Sequence, residues 1–318
     1  MRIKAVVSAL KKSDNILILT HLRPDGDTLG SAYALKGMLE GMGKNVCVAC
    51  DSKITPKYQY ITGSEIIQPL FEPEFIVAVD IANPSLLGGS LEKYADKVDM
   101  VLDHHPSNNG FGRINVIEPD FASSGELIYD IVLESKVKMT QNIMDNLYIA
   151  IATDTGCFRY SNTTAKSLEK AAKLVAMGAA HLDINRRFFE LKTPQQITLQ
   201  KMVMDTLRFY SGGKIAIIVV SLDIIKKAEA LEDDIEGLSA FPRRINGVDV
   251  GLTIREIIEG EYKISARSNE GVNVSEICQH FGGGGHVRAA GCTIKGEVKE
   301  IKKQLVDKIN EVYKGQKS

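Results

Sequence analysis

The feature that most constrains this chain is an alternation in its first half: short unbroken apolar runs, separated by stretches with helical periodicity. "NILILT" (15–20), "NVCVAC" (45–50), "EFIVAVD" (74–80) and "KVDMVLDHH" (97–105) lack the polar–apolar alternation of a half-exposed strand. They read as strands covered on both faces. Between the first two lies "GSAYALKGMLEGMG" (30–43), a helical pattern that ends in glycine, and "PSLLGGSLEKYA" (84–95) reads as a short helix. Buried strands separated by helices predict an α/β fold with a doubly wound, mostly parallel sheet. Helical patterns then dominate at 123–136, 140–156, 163–178 and 193–210.

The pattern restarts at "SGGKIAIIVVS" (211–221) with a turn and a new buried strand. Strands at 249–258 and 261–268 flank a tight "EGE" turn; a helix near "NVSEICQHF", a glycine cluster, the strand "AAGCTI" and a terminal helix complete the chain. At 318 residues there is length for two cores. The expected organisation is a domain over 1–190, a helical linker over 191–211 and a smaller α/β domain over 212–318.

Composition narrows the function classes. With 39 basic and 40 acidic residues the net charge is −1, which argues against a broad grip on long duplex DNA. No apolar run approaches the roughly 20 residues of a membrane-spanning helix. "MRIKAVVSALKKSD" reads as an amphipathic helix without a cleavage signal, so a cytoplasmic protein without a membrane partner is expected. Five scattered cysteines, Cys47, Cys50, Cys157, Cys278 and Cys292, do not make a disulfide framework. The Cys47–Cys50 spacing falls inside a β-branched run and reads as core packing rather than a redox turn or zinc site.

Polar residues gather where the apolar segments end. His21, Asp25 and Asp27 follow the first run, Asp80 closes the third, Asp103, His104 and His105 close the fourth, and Asp154 sits in "IATDTG". Open α/β sheets bind ligands at the carboxyl ends of their strands. Singly, each residue has a blander reading: a strand-end aspartate is usually a cap or turn residue, a lone buried histidine a core residue, and Gly26 and Gly30 ordinary turn glycines. Their coincidence on separate segments favours one site. His21, Asp25, Asp27, Asp80, His104 and Asp154 suffice for two divalent ions with one bridging carboxylate, and this oxygen and imidazole set suits manganese or magnesium. Two such ions about 3.5–4 Å apart clamp the attacking and leaving oxygens of an in-line phosphoryl displacement and generate hydroxide near neutral pH, so phosphoester hydrolysis is expected.

Residues 282–285 are four consecutive glycines, read as bare backbone that approaches an anion, with Gly283, Gly284 and Gly285 nearest His286 and Arg288. A glycine run alone more often marks a flexible loop. Followed by His286 and Arg288 and preceded by Arg267 on a strand, it becomes a candidate nucleotide site; Arg243 and Arg159 are weaker candidates.

"HLRPDGD", "VAVDIANPS", "LDHHPSN" and "ATDTGCFRYSNTT" together resemble the motifs of the DHH phosphoesterase superfamily, and "FGGGGHVRAAG" resembles the signature of the DHH-associated C-terminal domain. The likeness spans about residues 10–295 and is nearest to the short nanoRNase/pAp phosphatase proteins. It implies that His21, Asp25 and Asp80 hold one metal, and that Asp27, Asp80, His104 and Asp154 hold the other, with Asp80 bridging. By the same resemblance His105 faces the scissile phosphate, and Asp103 orients an imidazole. Manganese is the first expectation for the two ions, with magnesium or cobalt as substitutes.

The implied substrates are short RNA of two to five nucleotides, cut to mononucleotides, and pAp, which loses its 3′-phosphate. The C-terminal domain is expected to hold the nucleotide body and present its terminal phosphate to the metals. A homodimer is compatible with this reading. Rival readings are a phosphodiesterase for linear or cyclic dinucleotides, a manganese-type inorganic pyrophosphatase and a nucleotide sensor without turnover. An RNA-binding module is disfavoured by the balanced charge and the absence of aromatic clusters. RecJ-type exonucleases share the motifs but are generally longer.

Overall fold

In the computed structural model, which describes residues 2–63, 71–235, 237–269 and 271–315, the chain divides into two units, Met1–Leu191 and Lys192–Ser318. The first unit runs α1 (Arg2–Lys12), β1 (Ile16–Leu19), α2 (Gly26–Gly41), β2 (Val46–Ala49), α3 (Gln59–Thr62), β3 (Phe75–Val79), β4 (Met100–Asp103), β5 (Ile114–Ile117), α4 (Ser124–Ser135), α5 (Gln141–Asp154), α6 (Ala165–Met177) and α7 (His181–Asn185). Its five strands are parallel in the order β2-β1-β3-β4-β5. Ile16, Leu17, Ile18 and Leu19 are all fully buried. Successive strand residues face opposite sides, so β1 is covered on both, as its unbroken apolar run predicts. The chain passes from β1 to β2 on one side and returns to β3 on the other. Loops leaving the ends of β1 and β3 therefore part and open a crevice at this switch point.

Glycines set the second constraint on the site. α2 and α5 pair so that Gly26 faces Thr153, Gly30 faces Asn146 and Ala150, and Gly37 faces Ile143. The start of α2 thereby meets the end of α5. At Gly30 a Cβ would come 2.5 Å from the backbone oxygen of Asn146, closer than atoms pack. Gly26 and Gly30 are thus helix residues that admit a neighbouring helix, not the ordinary turn glycines of their blander reading. The same approach brings Asp154 at the end of α5 to Asp27 in the first turn of α2.

The second unit runs α8 (Pro194–Met204), β6 (Arg208–Tyr210), β7 (Ile215–Val220), α9 (Leu222–Lys227), β8 (Val250–Ile258), β9 (Glu261–Ser268), α10 (Val274–His280), β10 (Gly284–His286), β11 (Ala289–Lys295) and α11 (Val298–Gly315). Its sheet has the order β10-β11-β9-β8-β7-β6, with β7 and β8 parallel and the other neighbours antiparallel. Ile215 and Ile217 of β7 pack with α10 and α11 residues, whereas Ile218 and Val220 pack with Leu199 and Val203 of α8. The segment 191–211 thus carries α8 and β6, and α8 contributes to the core of this unit.

Several elements depart from their sequence patterns. The helix expected over 30–43 begins at Gly26, because Asp25 caps it. The helical pattern over 193–210 stops at Met204 and turns into β6. The helix expected over 84–95 is instead two 3₁₀ turns, Pro84–Leu87 and Glu92–Lys97, the first ended by Gly88, whose φ is +83°. Part of the glycine cluster, Gly284–His286, is an edge strand.

Candidate metal centre

Local chemistry places each acid. The Asp25 side chain accepts from the amides of Asp27 and Thr28 at 3.0 and 3.1 Å, an N-cap that starts α2. Asp27 therefore falls in the helix rather than in a preceding loop, 1% exposed. Its Oδ2 accepts from the Ser124 amide at 2.7 Å, and its Oδ1 from the Gly125 amide at 2.9 Å and the Ser31 hydroxyl at 3.1 Å. Asp80 follows β3 with φ at +59°, a left-handed conformation that aspartate tolerates better than most residues and that often marks functional positions. Asp103 ends β4 and accepts from His105 Nδ1 at 2.8 Å and Asn108 Nδ2 at 2.6 Å.

These segments converge on one pocket of donors. His21 Nε2 lies 3.8 Å from Asp25 Oδ1 and 3.7 Å from Asp80 Oδ2. His104 Nε2 lies 3.7 Å from Asp27 Oδ2, 3.6 Å from Asp80 Oδ1 and 3.5 Å from Asp154 Oδ2. His105 Nδ1 is 3.6 Å from Asp80 Oδ1. Distances of 3.5–3.8 Å are too long for hydrogen bonds, and suit side chains turned toward a shared cation. Asp80 faces all three histidines, Oδ2 toward His21 and Oδ1 toward His104 and His105.

The donor set therefore fits divalent cations, in the groups His21–Asp25–Asp80 and Asp27–His104–Asp154, with Asp80, His104 and His105 forming a third overlapping group. Each imidazole is aimed by its other nitrogen: His104 Nδ1 meets the Phe121 carbonyl at 3.1 Å and His21 Nδ1 the Leu22 carbonyl at 3.0 Å.

The electrostatics match. Burial, then the charges of Asp80, Asp154 and Asp25, push the Asp27 carboxyl well above its ordinary range. Burial and then Asp25 raise Asp80. Asp154 is pushed up to about 6, burial outweighing the pull of His104, with Asp80 and Asp25 adding to the rise. A bound divalent cation reverses this repulsion. The Asp103 bond carries His105 up to about 9. Burial alone would raise Asp103, but the bonds from His105 and Asn108 bring it below its ordinary value.

The remaining candidates belong to other segments of the chain. Arg159 follows Asp154 after three consecutive left-handed residues, Gly156, Cys157 and Phe158, and its Nε donates to the Gly156 carbonyl at 2.6 Å. In the second unit, His286, Ala289, Arg267 and Gly251 share one row across β10, β11, β9 and β8. Their neighbours Ala266 and Ala290 point into the core, so His286 and Arg267 share the opposite face. The backbone of Arg243 packs directly on Gly251, and its Nε is buried without a hydrogen-bond partner. Arg243 and burial together lower Arg267, burial being the larger cause.

The glycines divide in role. The Gly283 amide donates to the Cys278 carbonyl at 2.9 Å, and a Cβ there would meet the Gly291 carbonyl at 2.2 Å; Gly284 has open space. Arg288 lies in the turn between β10 and β11, its carbonyl accepting from the Ser268 amide.

The sequence reading missed Ser124, Gly125, Ser31 and Asn108, whose bonds hold the acids. The signal for Ser124 and Gly125 is "SSGE" (123–126), a serine cap before a helix, and Asn108 closes the motif "LDHHPSN"; Ser31 has no local signal.

Residues 15–151 match the DHH family, N-terminal domain, and residues 212–315 the DHHA1 domain. The bifunctional oligoribonuclease and PAP phosphatase NrnA of Thermus thermophilus is 32% identical over 301 residues, covering 93% of this chain and 89% of its own. The protein of that name from Bacillus subtilis is 23% identical, covering 91% and 92%. Among solved structures, an exopolyphosphatase-related protein from Bacteroides fragilis superposes with a TM-score of 0.89 at 23% identity, covering 100% of this chain and 98% of its own; it shares the fold.

Proposed function

This chain belongs to the DHH family of phosphoesterases, and we propose that it hydrolyses short oligoribonucleotides to mononucleotides and removes the 3′-phosphate of pAp. The observation that carries the reading is Asp80, whose two oxygens face His21 and His104 separately, as a carboxylate shared by two cations requires. His21, Asp25 and Asp80 would hold one divalent ion, and Asp27, Asp80, His104 and Asp154 the other. Manganese is favoured by the oxygen and imidazole set, with magnesium or cobalt as substitutes. When bound, such a pair supplies charge neutralisation at the phosphoryl group and activates water.

The residues of the chain do the rest. Asp103 fixes the His105 ring through Nδ1 and leaves Nε2 to donate to a phosphate oxygen as negative charge develops there. His105, 41% exposed, stands at the open side of the cluster. Nucleotide binding is proposed for Arg267, Arg243, His286 and Arg288 with the backbone of Gly284 and Gly285, the Gly283 amide being taken by the Cys278 carbonyl, and for Arg159. The buried, unpartnered Nε of Arg243 next to a second guanidinium supports an anion there.

The named activities of the Thermus relative, similar over most of both chains, favour this substrate class over cyclic dinucleotides or pyrophosphate. The test is a panel with manganese: pAp, two- to five-nucleotide RNA, a cyclic dinucleotide, pyrophosphate and a long single strand. Turnover of pAp and the short RNAs, lost together in a His104→Ala/His105→Ala variant that still folds, is expected. Preferential turnover of pyrophosphate or of the cyclic dinucleotide would overturn the assignment.

A further inference from the structure

We infer that Ser124 is a positioning residue for the metal centre, and that the segment Phe121–Glu126 is a rigid jig that presets three of its ligands. The inference rests on the reading that Asp27, Asp80 and His104 hold cations. Ser124 is fully buried and touches two carboxylates at once: its amide donates to Asp27 Oδ2 at 2.7 Å and its hydroxyl to Asp80 Oδ1 at 2.9 Å. The next amide, Gly125, donates to the other Asp27 oxygen at 2.9 Å. Three residues upstream, the Phe121 carbonyl meets His104 Nδ1 and turns Nε2 toward the three acids.

The jig is braced from outside the cluster. The Ala122 amide donates to Glu126 Oε1 at 3.1 Å, and Asn162 Nδ2 donates to the Ala122 carbonyl at 3.2 Å and the Asp154 carbonyl at 3.1 Å. Glu126 is itself held by the Ser167 hydroxyl at 2.6 Å, and Lys170 Nζ donates to its carbonyl at 2.9 Å. Both polar groups of the Ala122 peptide are therefore fixed by side chains that never reach the donor pocket. Gly125 completes the fit: a Cβ there would stand 2.5 Å from Ala150 Cβ. Acids crowded this closely repel one another when no cation is bound. Hydrogen bonds that hold them in place beforehand lower the reorganisation that cation binding requires.

The test is calorimetric titration of manganese into metal-free protein, wild type against Ser124→Ala and Asn162→Ala, with circular dichroism to confirm folding. Losing a bond that orients a ligand typically costs about 10- to 100-fold in metal affinity. Ser124→Ala should weaken manganese binding by about that factor. Asn162→Ala, an exposed position with little folding risk, should weaken it less but in the same direction. Half-maximal activation should need correspondingly more manganese, with the KM for a dinucleotide unchanged at saturating metal. Wild-type manganese affinity in folded Ser124→Ala, or in Asn162→Ala should Ser124→Ala not fold, overturns the inference. Wild-type protein that binds no divalent ion would instead sink the underlying reading of the centre.

Discussion

Asp80 and Asp103 stand at the ends of neighbouring strands, yet their surroundings give them different work. Asp80 turns Oδ2 toward His21 at 3.7 Å and Oδ1 toward His104 and His105 at 3.6 Å, with a hydrogen bond from the Ser124 hydroxyl, whereas Asp103 spends both of its oxygens on hydrogen bonds to His105 and Asn108 at 2.8 and 2.6 Å. Replacing Asp80 by Asn should eliminate turnover and lower the number of manganese ions bound per chain, as counted by elemental analysis. Asp103→Asn should keep that number and cut kcat by about 10- to 100-fold, because His105 loses its anchor. Loss of bound metal in Asp103→Asn would show that Asp103 is itself a ligand. The residues at strand ends were legible in the sequence because each closes an apolar run. Ser124 was not, because its bond to Asp27 joins residues 97 apart, and no local pattern encodes such a pair.

Elements carry a second set of expectations, and two glycine comparisons decide between propensity and packing. Alanine favours a helix interior over glycine by about 1 kcal/mol. At Gly30, however, its Cβ would stand 2.5 Å from a backbone oxygen of α5, and overpacking of this kind costs about 1–3 kcal/mol. Packing should win. Gly30→Ala is expected to lower the unfolding midpoint in urea and to reduce activity with it, since the α2–α5 approach positions Asp154. In the hairpin, Gly283→Ala should destabilise the second unit, its Cβ meeting a β11 carbonyl at 2.2 Å, while Gly284→Ala, with open space, should fold as wild type. Equal midpoints for this last pair would refute the assigned hairpin packing. Strands β1 and β3 could be read from sequence because they are covered on both faces. The edge strands β5, β6 and β10 could not: Ile114 and Phe209 are exposed and the β10 residues are mostly glycine, so no apolar run announces them.

On the scale of the whole molecule, each unit buries its own apolar cluster, which gives each the means to unfold as a cooperative step. All the proposed cation ligands belong to the first unit, and Arg243 and Arg267 belong to the second. A cation bound at 100 times its Kd stabilises the folded state by about 2.7 kcal/mol. In a unit of this size, that corresponds to a rise of about 5–10 °C in Tm. Scanning calorimetry with and without manganese should therefore shift the transition of the first unit alone, and chelation should reverse the shift. An Arg243→Ala/Arg267→Ala variant should keep the full metal-dependent shift while its KM for pAp and short RNA rises. A variant that loses the metal shift would tie the arginines to the metal centre. One that keeps both the shift and the wild-type KM would remove the arginines from substrate binding.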